Sequence, residues 1–266
     1  MKIYISADIE GITGVTSWNE TNKAHADYAE FQQQMTREVA AACLGCLDAG
    51  AEEITVKDAH DSGRNILAGQ LPPKTRLIRG WSGHPLGMVQ DLNDSFDAVM
   101  MIGYHSRAFS NRNPLAHTWS NSRIAWMKLN GEWLSEFAMH MLAAETIGVP
   151  VVLVTGDQGL VEEVEQWNSH IMTVAVKEGR GDSTINIHPD LAVQLIQRAA
   201  HDALKVPREN FHVSLPESFR LELCFKHHQQ AYRASHYPGA IVVDDHTVAF
   251  SNSDYHEILR FRFFAL

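Results

Sequence analysis

Short apolar runs that stop at a glycine or an acid recur along this chain, and they constrain its fold more than any other feature. Residues 1–7 stop at Asp8, 53–57 at Asp58, 97–102 at Gly103 and 149–154 at Thr155-Gly156-Asp157. Each is of strand length, and the later two lack the polar alternation of a strand with one wet face. Stretches with helical spacing lie among them. Phe31, Met35, Val39, Cys43 and Leu47 recur every four residues, and the pattern ends at Gly50. Further helices are expected over 134–147 (amphipathic), from Leu160, and over 189–204 with Pro189 in the first turn. Apolar strands separated by helices predict an α/β fold, with a largely parallel sheet flanked by helices on both faces.

The rest of the chain reads differently. Residues 122–129 alternate like an edge or hairpin strand, and Asn130-Gly131 is a strong turn signal. A strand is expected at 171–176, then a loop through 178–182 whose Arg180-Gly181-Asp182 reads as a turn. Beyond about Val206 the composition changes: strands are expected at 219–225, 240–243 and 247–250, with helices over 226–235 and from Ser253. The expected organisation is a catalytic α/β domain over 1–205 and a smaller C-terminal α+β lobe over 206–266, both within one compact subunit.

A net charge of -10 argues against a nucleic-acid partner. No apolar run approaches the roughly 18 to 20 residues of a membrane span, and no signal peptide precedes the first strand, so a cytoplasmic setting is expected. Three cysteines, an odd number, suit a reducing compartment rather than a disulfide framework. Cys43-Leu44-Gly45-Cys46 has redox or zinc spacing, but it lies in an Ala-rich helical stretch without a second pair; small buried helix residues explain it better.

The chemistry lies where acids and histidines fall relative to strand ends. Asp8-Ile9-Glu10 follows the first run, and side chains two apart on an extended chain point the same way, so both carboxylates can face one cation. His60 follows the second run and His105 the third. In a parallel sheet those ends share one edge, where α/β folds place their ligands. Two histidines with two or three carboxylates and no cysteine suit a hydrolytic Zn2+ or Mn2+ centre. A bridging carboxylate such as Asp8 would allow two ions about 3.5 to 4 Å apart. Plainer roles are open to each residue. Asp8 and Glu10 can cap a helix or anchor a loop, His60 can anchor its own loop, and His105 and His117 can be structural. Glu136 and His140 share a helix face, where solvent exposure is the commoner fate.

The chain resembles the D-aminopeptidases of dipeptide-permease operons, a family of binuclear zinc metallopeptidases. The resemblance rests on Ser6–Gly14 (SADIEGITG), Lys57-Asp58-Ala59-His60, Gly103-Tyr104-His105-Ser106-Arg107-Ala108, Leu115-Ala116-His117-Thr118, Asn130-Gly131 through Ser135-Glu136, Thr155-Gly156-Asp157 and Ala175-Val176-Lys177. These segments occur in family order and cover about the first two thirds of the chain. The resemblance implies Asp8, Glu10, His60, His105 and Glu136 as ligands of two zinc ions per subunit, Asp8 shared, with Mn2+ or another divalent ion as a substitute. It implies His117 as the catalytic histidine outside the metal shell, and a ring-shaped homodecamer of stacked pentamers. The chain departs from the family around its helical ligand, reading Ser135-Glu136-Phe137-Ala138 where Gly-Glu-x-Gly is usual.

The expected activity is a metal-dependent aminopeptidase on short peptides or aminoacyl amides, with D-residues preferred and water activated by two zinc ions. Lys177 and Asp157 would contact substrate or support the ligands, or else form ordinary loop ion pairs. The alternatives are a binuclear amidase, deacylase or phosphoesterase on another small substrate, and a non-catalytic oligomeric binding protein.

Overall fold

A computed structural model describes residues 1–266. Its elements in chain order are β1 (Lys2–Ala7), α1 (Tyr28–Asp48), β2 (Glu53–Asp58), β3 (Thr75–Ile78), β4 (Ala98–Tyr104), β5 (Ile124–Leu129) and β6 (Glu132–Trp133). Next come α2 (Glu136–Ile147), β7 (Val151–Asp157), α3 (Gln158–Trp167), β8 (Met172–Arg180), β9 (Ser183–Asn186) and α4 (Pro189–Ala203). The chain closes with β10 (Phe219–Phe225), α5 (His228–Ala234), β11 (Ile241–Val242), β12 (Thr247–Asn252) and α6 (Tyr255–Ala265).

The larger sheet runs β3-β2-β1-β4-β7-β8-β9 and is parallel except for the β8–β9 hairpin at its edge. β4 and β7 are buried at every position, which is why they read as unbroken apolar runs. Paired residues of neighbouring parallel strands point to the same side. Ile5 pairs with Met100, whose sulfur meets Cys46 of α1, so α1 and its neighbour α4 cover that face. Tyr4 and Ser6 point the other way, donating to the carbonyls of Gln90 and Met88, and that segment packs against α2.

The smaller sheet is wholly antiparallel, in the order β11-β12-β10-β5-β6. It draws two strands from the middle of the chain and three from beyond residue 206. Asn130 and Gly131 both take positive φ (52° and 89°), the type I′ geometry whose twist suits the β5–β6 hairpin. α6 lies against β10 and β12 and also against α2, so the two helices fill the space between the sheets.

That position corrects two expectations. Residues 136–144 of α2 are all buried, so the helix is not amphipathic but covered on both sides. Glu136 and His140 are therefore buried, not solvent-exposed. The segment expected as a loop at 178–182 instead continues β8 to Arg180 and turns at Gly181 (φ +58°) into β9. Cys43 and Cys46 are free thiols buried in α1. No helix is long and apolar enough to cross a membrane.

Candidate metal centre

β2, β1 and β4 are neighbours, and each passes a donor residue beyond its carboxyl end: His60, Asp8 with Glu10, and His105. The chain order runs outward through β2 and β3 on one side of β1 and through β4, β7 and β8 on the other. The donors thus sit at the point where the winding reverses, the usual ligand crevice of an open α/β sheet. Glycine makes this crowding feasible. Gly103 has φ +72°, and a Cβ on it would lie 2.4 Å from the Asp8 carbonyl oxygen; one on Gly11 would lie 1.7 Å from that of Tyr104.

Two trios form: Asp8, Glu10 and His60, and His105, His117 and Glu136, the donor atoms of each lying within 4.8 Å of one another. His60 Nδ1 is 3.4 Å from Asp8 Oδ1 and 3.1 Å from Glu10 Oε2. His105 Nε2 is 3.6 Å from Asp8 Oδ2 and 3.6 Å from Glu136 Oε1. Asp8 therefore turns one oxygen to each trio. Glu136 enters as the first residue of α2, where Ser135 caps the helix by accepting from Ala138 N at 2.9 Å. His117 comes from the loop before β5. Its Nε2 is 3.6 Å from Glu136 Oε1, as near as that of His105, and its ring stacks on the His105 ring at 4.4 Å.

Every one of the three imidazoles is oriented from behind. His60 Nε2–H donates to Thr21 O, His105 Nδ1–H to Ser106 O and His117 Nδ1–H to Leu115 O, each at 2.9 Å. The other ring nitrogen of each is then turned to the carboxylates, the arrangement that prepares a histidine for a metal once that nitrogen gives up any proton it holds. His105 Nε2 and Glu10 Oε2 are buried without a hydrogen-bond partner. Polar atoms buried without a partner are costly, and a divalent cation is the partner that nitrogen and oxygen donors without sulfur suit. The residues fit a metal.

The electrostatics agree. Burial and the facing Glu10 push Asp8 up to about 8, against the pull of His60. Burial opposes the charge on His105, but Glu136 and the other carboxylates outweigh it and lift the ring to about 10. For Glu10, burial is outweighed by His60, which holds the carboxyl well below its usual range. His117 moves the other way, lowered by burial and by the charge on His105, so it favours the neutral ring.

Lys177 and Asp157 brace the backbone around the two trios and form no ion pair. Lys177 Nζ donates to Glu10 O and Val15 O, both at 2.5 Å. Asp157 accepts from Ser106 N at 2.7 Å, Asn113 Nδ2 at 2.9 Å, Leu160 N at 2.9 Å, and Ser106 Oγ. His140 belongs to neither trio: it donates from Nδ1 to Glu136 O at 2.7 Å and accepts from Met88 N at Nε2. Sequence reasoning missed Thr21, Ser106, Asn113 and Trp119, whose backbone N–H donates to Glu136 Oε1 at 2.7 Å. Most act through backbone atoms, which leave no mark on residue type. The centre opens on a cleft of about 650 Å³.

A doubly wound sheet with imidazoles and carboxylates gathered at its switch point defines a metal-dependent hydrolase. The sequence pattern described as D-aminopeptidase matches residues 1–263, and the chain belongs to that family. It is 28% identical over 256 residues to the D-aminopeptidase of Bacillus subtilis (strain 168), covering 96% of this chain and 92% of the relative. The structure of DppA from Bacillus subtilis, a Zn-dependent D-aminopeptidase described as a self-compartmentalizing protease, superposes with a TM-score of 0.93. It has 25% sequence identity, with 100% of this chain and 96% of that one covered. The protein is a metal-dependent aminopeptidase.

Proposed function

We propose that Asp8, Glu10, His60, His105 and Glu136 hold two zinc ions, Asp8 bridging them. The enzyme then releases N-terminal residues of D-configuration from short peptides and aminoacyl amides. The observation that supports this most directly is the Asp8 carboxylate, with Oδ1 turned to His60 and Oδ2 to His105. When bound, the ions would supply Lewis acidity towards the scissile carbonyl and a water of lowered pKa.

The chain's own residues do the remaining work. His117 keeps its Nδ1 proton on Leu115 O and carries a lone pair at Nε2, facing the cleft. That nitrogen can take up a proton and pass it to the leaving amine, a task suited to an imidazole that is neutral before the reaction. Asp157, Lys177 and Asn113 hold the backbone that carries Glu10 and His105, so the ligands keep their places while charge develops.

The same reading makes the enzyme a cytoplasmic homo-oligomer, a ring-shaped decamer enclosing its active sites. The self-compartmentalizing character of DppA supports an enclosing assembly, and the unpaired thiols of Cys43, Cys46 and Cys224 suit a reducing compartment. Paired D- and L-aminoacyl amides, dipeptides and a phosphate ester, assayed with the zinc-loaded protein, test the activity. Cleavage of D-amides is expected. Ester cleavage without amide cleavage, or negligible zinc after reconstitution, would overturn the reading.

A further inference from the structure

Indole rings wall the metal cleft. Trp18, Trp81 and Trp119 line it together with Met88 and Phe263. Trp18 and Trp81 remain 38% and 40% exposed. Large apolar rings left wet inside a concave site, rather than on a flat face, favour a small apolar guest whose burial releases water.

The rings are also held in place. Lys57 is fully buried, with its ammonium 3.9 Å from the centre of the Trp81 ring, and it donates to Asp58 O and Gly80 O at 2.7 Å. Trp81 Nε1–H donates in turn to Asp61 O at 2.7 Å. Arg262 is fully buried as well; its guanidinium lies 3.7 Å from the centre of the Trp119 ring, and Nη2 donates to Pro85 O at 2.7 Å. Gly87 leaves the room for that ring, since a Cβ there would stand 2.8 Å from it. Trp81 meets Trp119 edge to face at 6.4 Å, and Trp18 meets the His117 ring the same way at 5.2 Å. Burying two cations is costly, and cation–π contact offsets part of that cost. The result is a stiff aromatic wall that loses little freedom when a ligand covers it.

We propose that this wall is a subsite for a large apolar side chain, aromatic above all, on a residue flanking the scissile bond. The inference rests on the peptidase reading above and names its substrate class. Trp18 touches His117, the residue assigned to the leaving amine, so the wall stands beside the bond that breaks. A methyl side chain would leave most of the indole surface wet and gain little from it.

Zinc-loaded enzyme assayed on D-Ala-D-Ala, D-Phe-D-Ala and D-Ala-D-Phe is expected to show kcat/KM at least about 10-fold higher for one of the phenylalanine dipeptides. Trp81→Ala should remove most of that preference, and Trp81→Leu, which keeps apolar bulk and serves as the safer fold, should remove part of it. Equal kcat/KM for all three dipeptides in the wild type overturns the subsite and leaves the peptidase reading intact. If neither these dipeptides nor the aminoacyl amides are cleaved, the peptidase reading fails, and indole fluorescence then judges the subsite separately. In titrations of the zinc-loaded protein, D-phenylalaninamide binding at least about fivefold tighter than D-alaninamide supports the subsite. Equal affinity overturns it.

Discussion

His105 shows at one side chain how the centre is made. A carbonyl one residue away accepts from Nδ1–H, which turns Nε2 between two carboxylates. His60→Ala and His105→Ala should therefore lose zinc and turnover together, metal affinity falling by well over about 10-fold, as read by elemental analysis beside kcat. His117→Ala should keep its zinc while turnover drops about 10²- to 10⁴-fold. Loss of zinc from that variant would instead make His117 a ligand, a role its distance from Glu136 also permits. The metal-free cluster stores protons: near pH 7 Asp8, raised to about 8, and His105, raised to about 10, both hold one. A cation needs both groups bare. Zinc uptake should thus release protons and tighten as pH rises towards those values, which calorimetry in buffers of different ionisation enthalpy measures directly. Uptake without proton release would contradict this account.

At the scale of elements, the two trios depend on how strand ends and helix starts are tied together. Asp157 ends β7, caps α3 and holds Ser106 beside His105. Asp157→Ala leaves several buried donors unpaired, each costing about 1 to 3 kcal/mol. A loss of about 3 kcal/mol or more is expected in denaturant unfolding, with weaker zinc binding. Gly11→Ala places a Cβ against the Tyr104 carbonyl, and no rotamer change relieves a clash with backbone. It should cost at least about 1 to 3 kcal/mol and move Glu10, so stability and zinc affinity should fall together. The elements themselves were legible where one cause dominated. β1, β2 and β4 announced themselves by apolar runs, and β5–β6 by Asn130-Gly131. α2 misled because its periodicity was judged against solvent, whereas α6, from the far end of the chain, covers it. β8 ran past its expected end because pairing with β9 carries polar residues into the sheet.

For the whole molecule, the assembly prediction is open to a single measurement. Sedimentation velocity should find a ring of ten subunits, and a monomer at assay concentration would remove enclosure from the account. The residues most at stake were legible in the sequence to different degrees. Asp8, Glu10, His60 and His105 stand at strand ends, and a parallel sheet brings its strand ends to one edge, so local pattern already pointed to them. Glu136 and His117 were visible as a helix-face acid and a loop histidine, but only family resemblance gave them roles, because a helix start and a loop carry no rule about where they will lie. Chain chemistry alone thus decided the α/β class and the strand-end placing of Asp8, Glu10, His60 and His105, since apolar period and carboxylate spacing are local quantities. Tertiary structure alone decided that β1 and β4 flank the switch point, that Asp8 faces both trios, and that α6 brings Arg262 against Trp119. Those facts join residues far apart in sequence, and only the packing of the two sheets around α2 sets such distances.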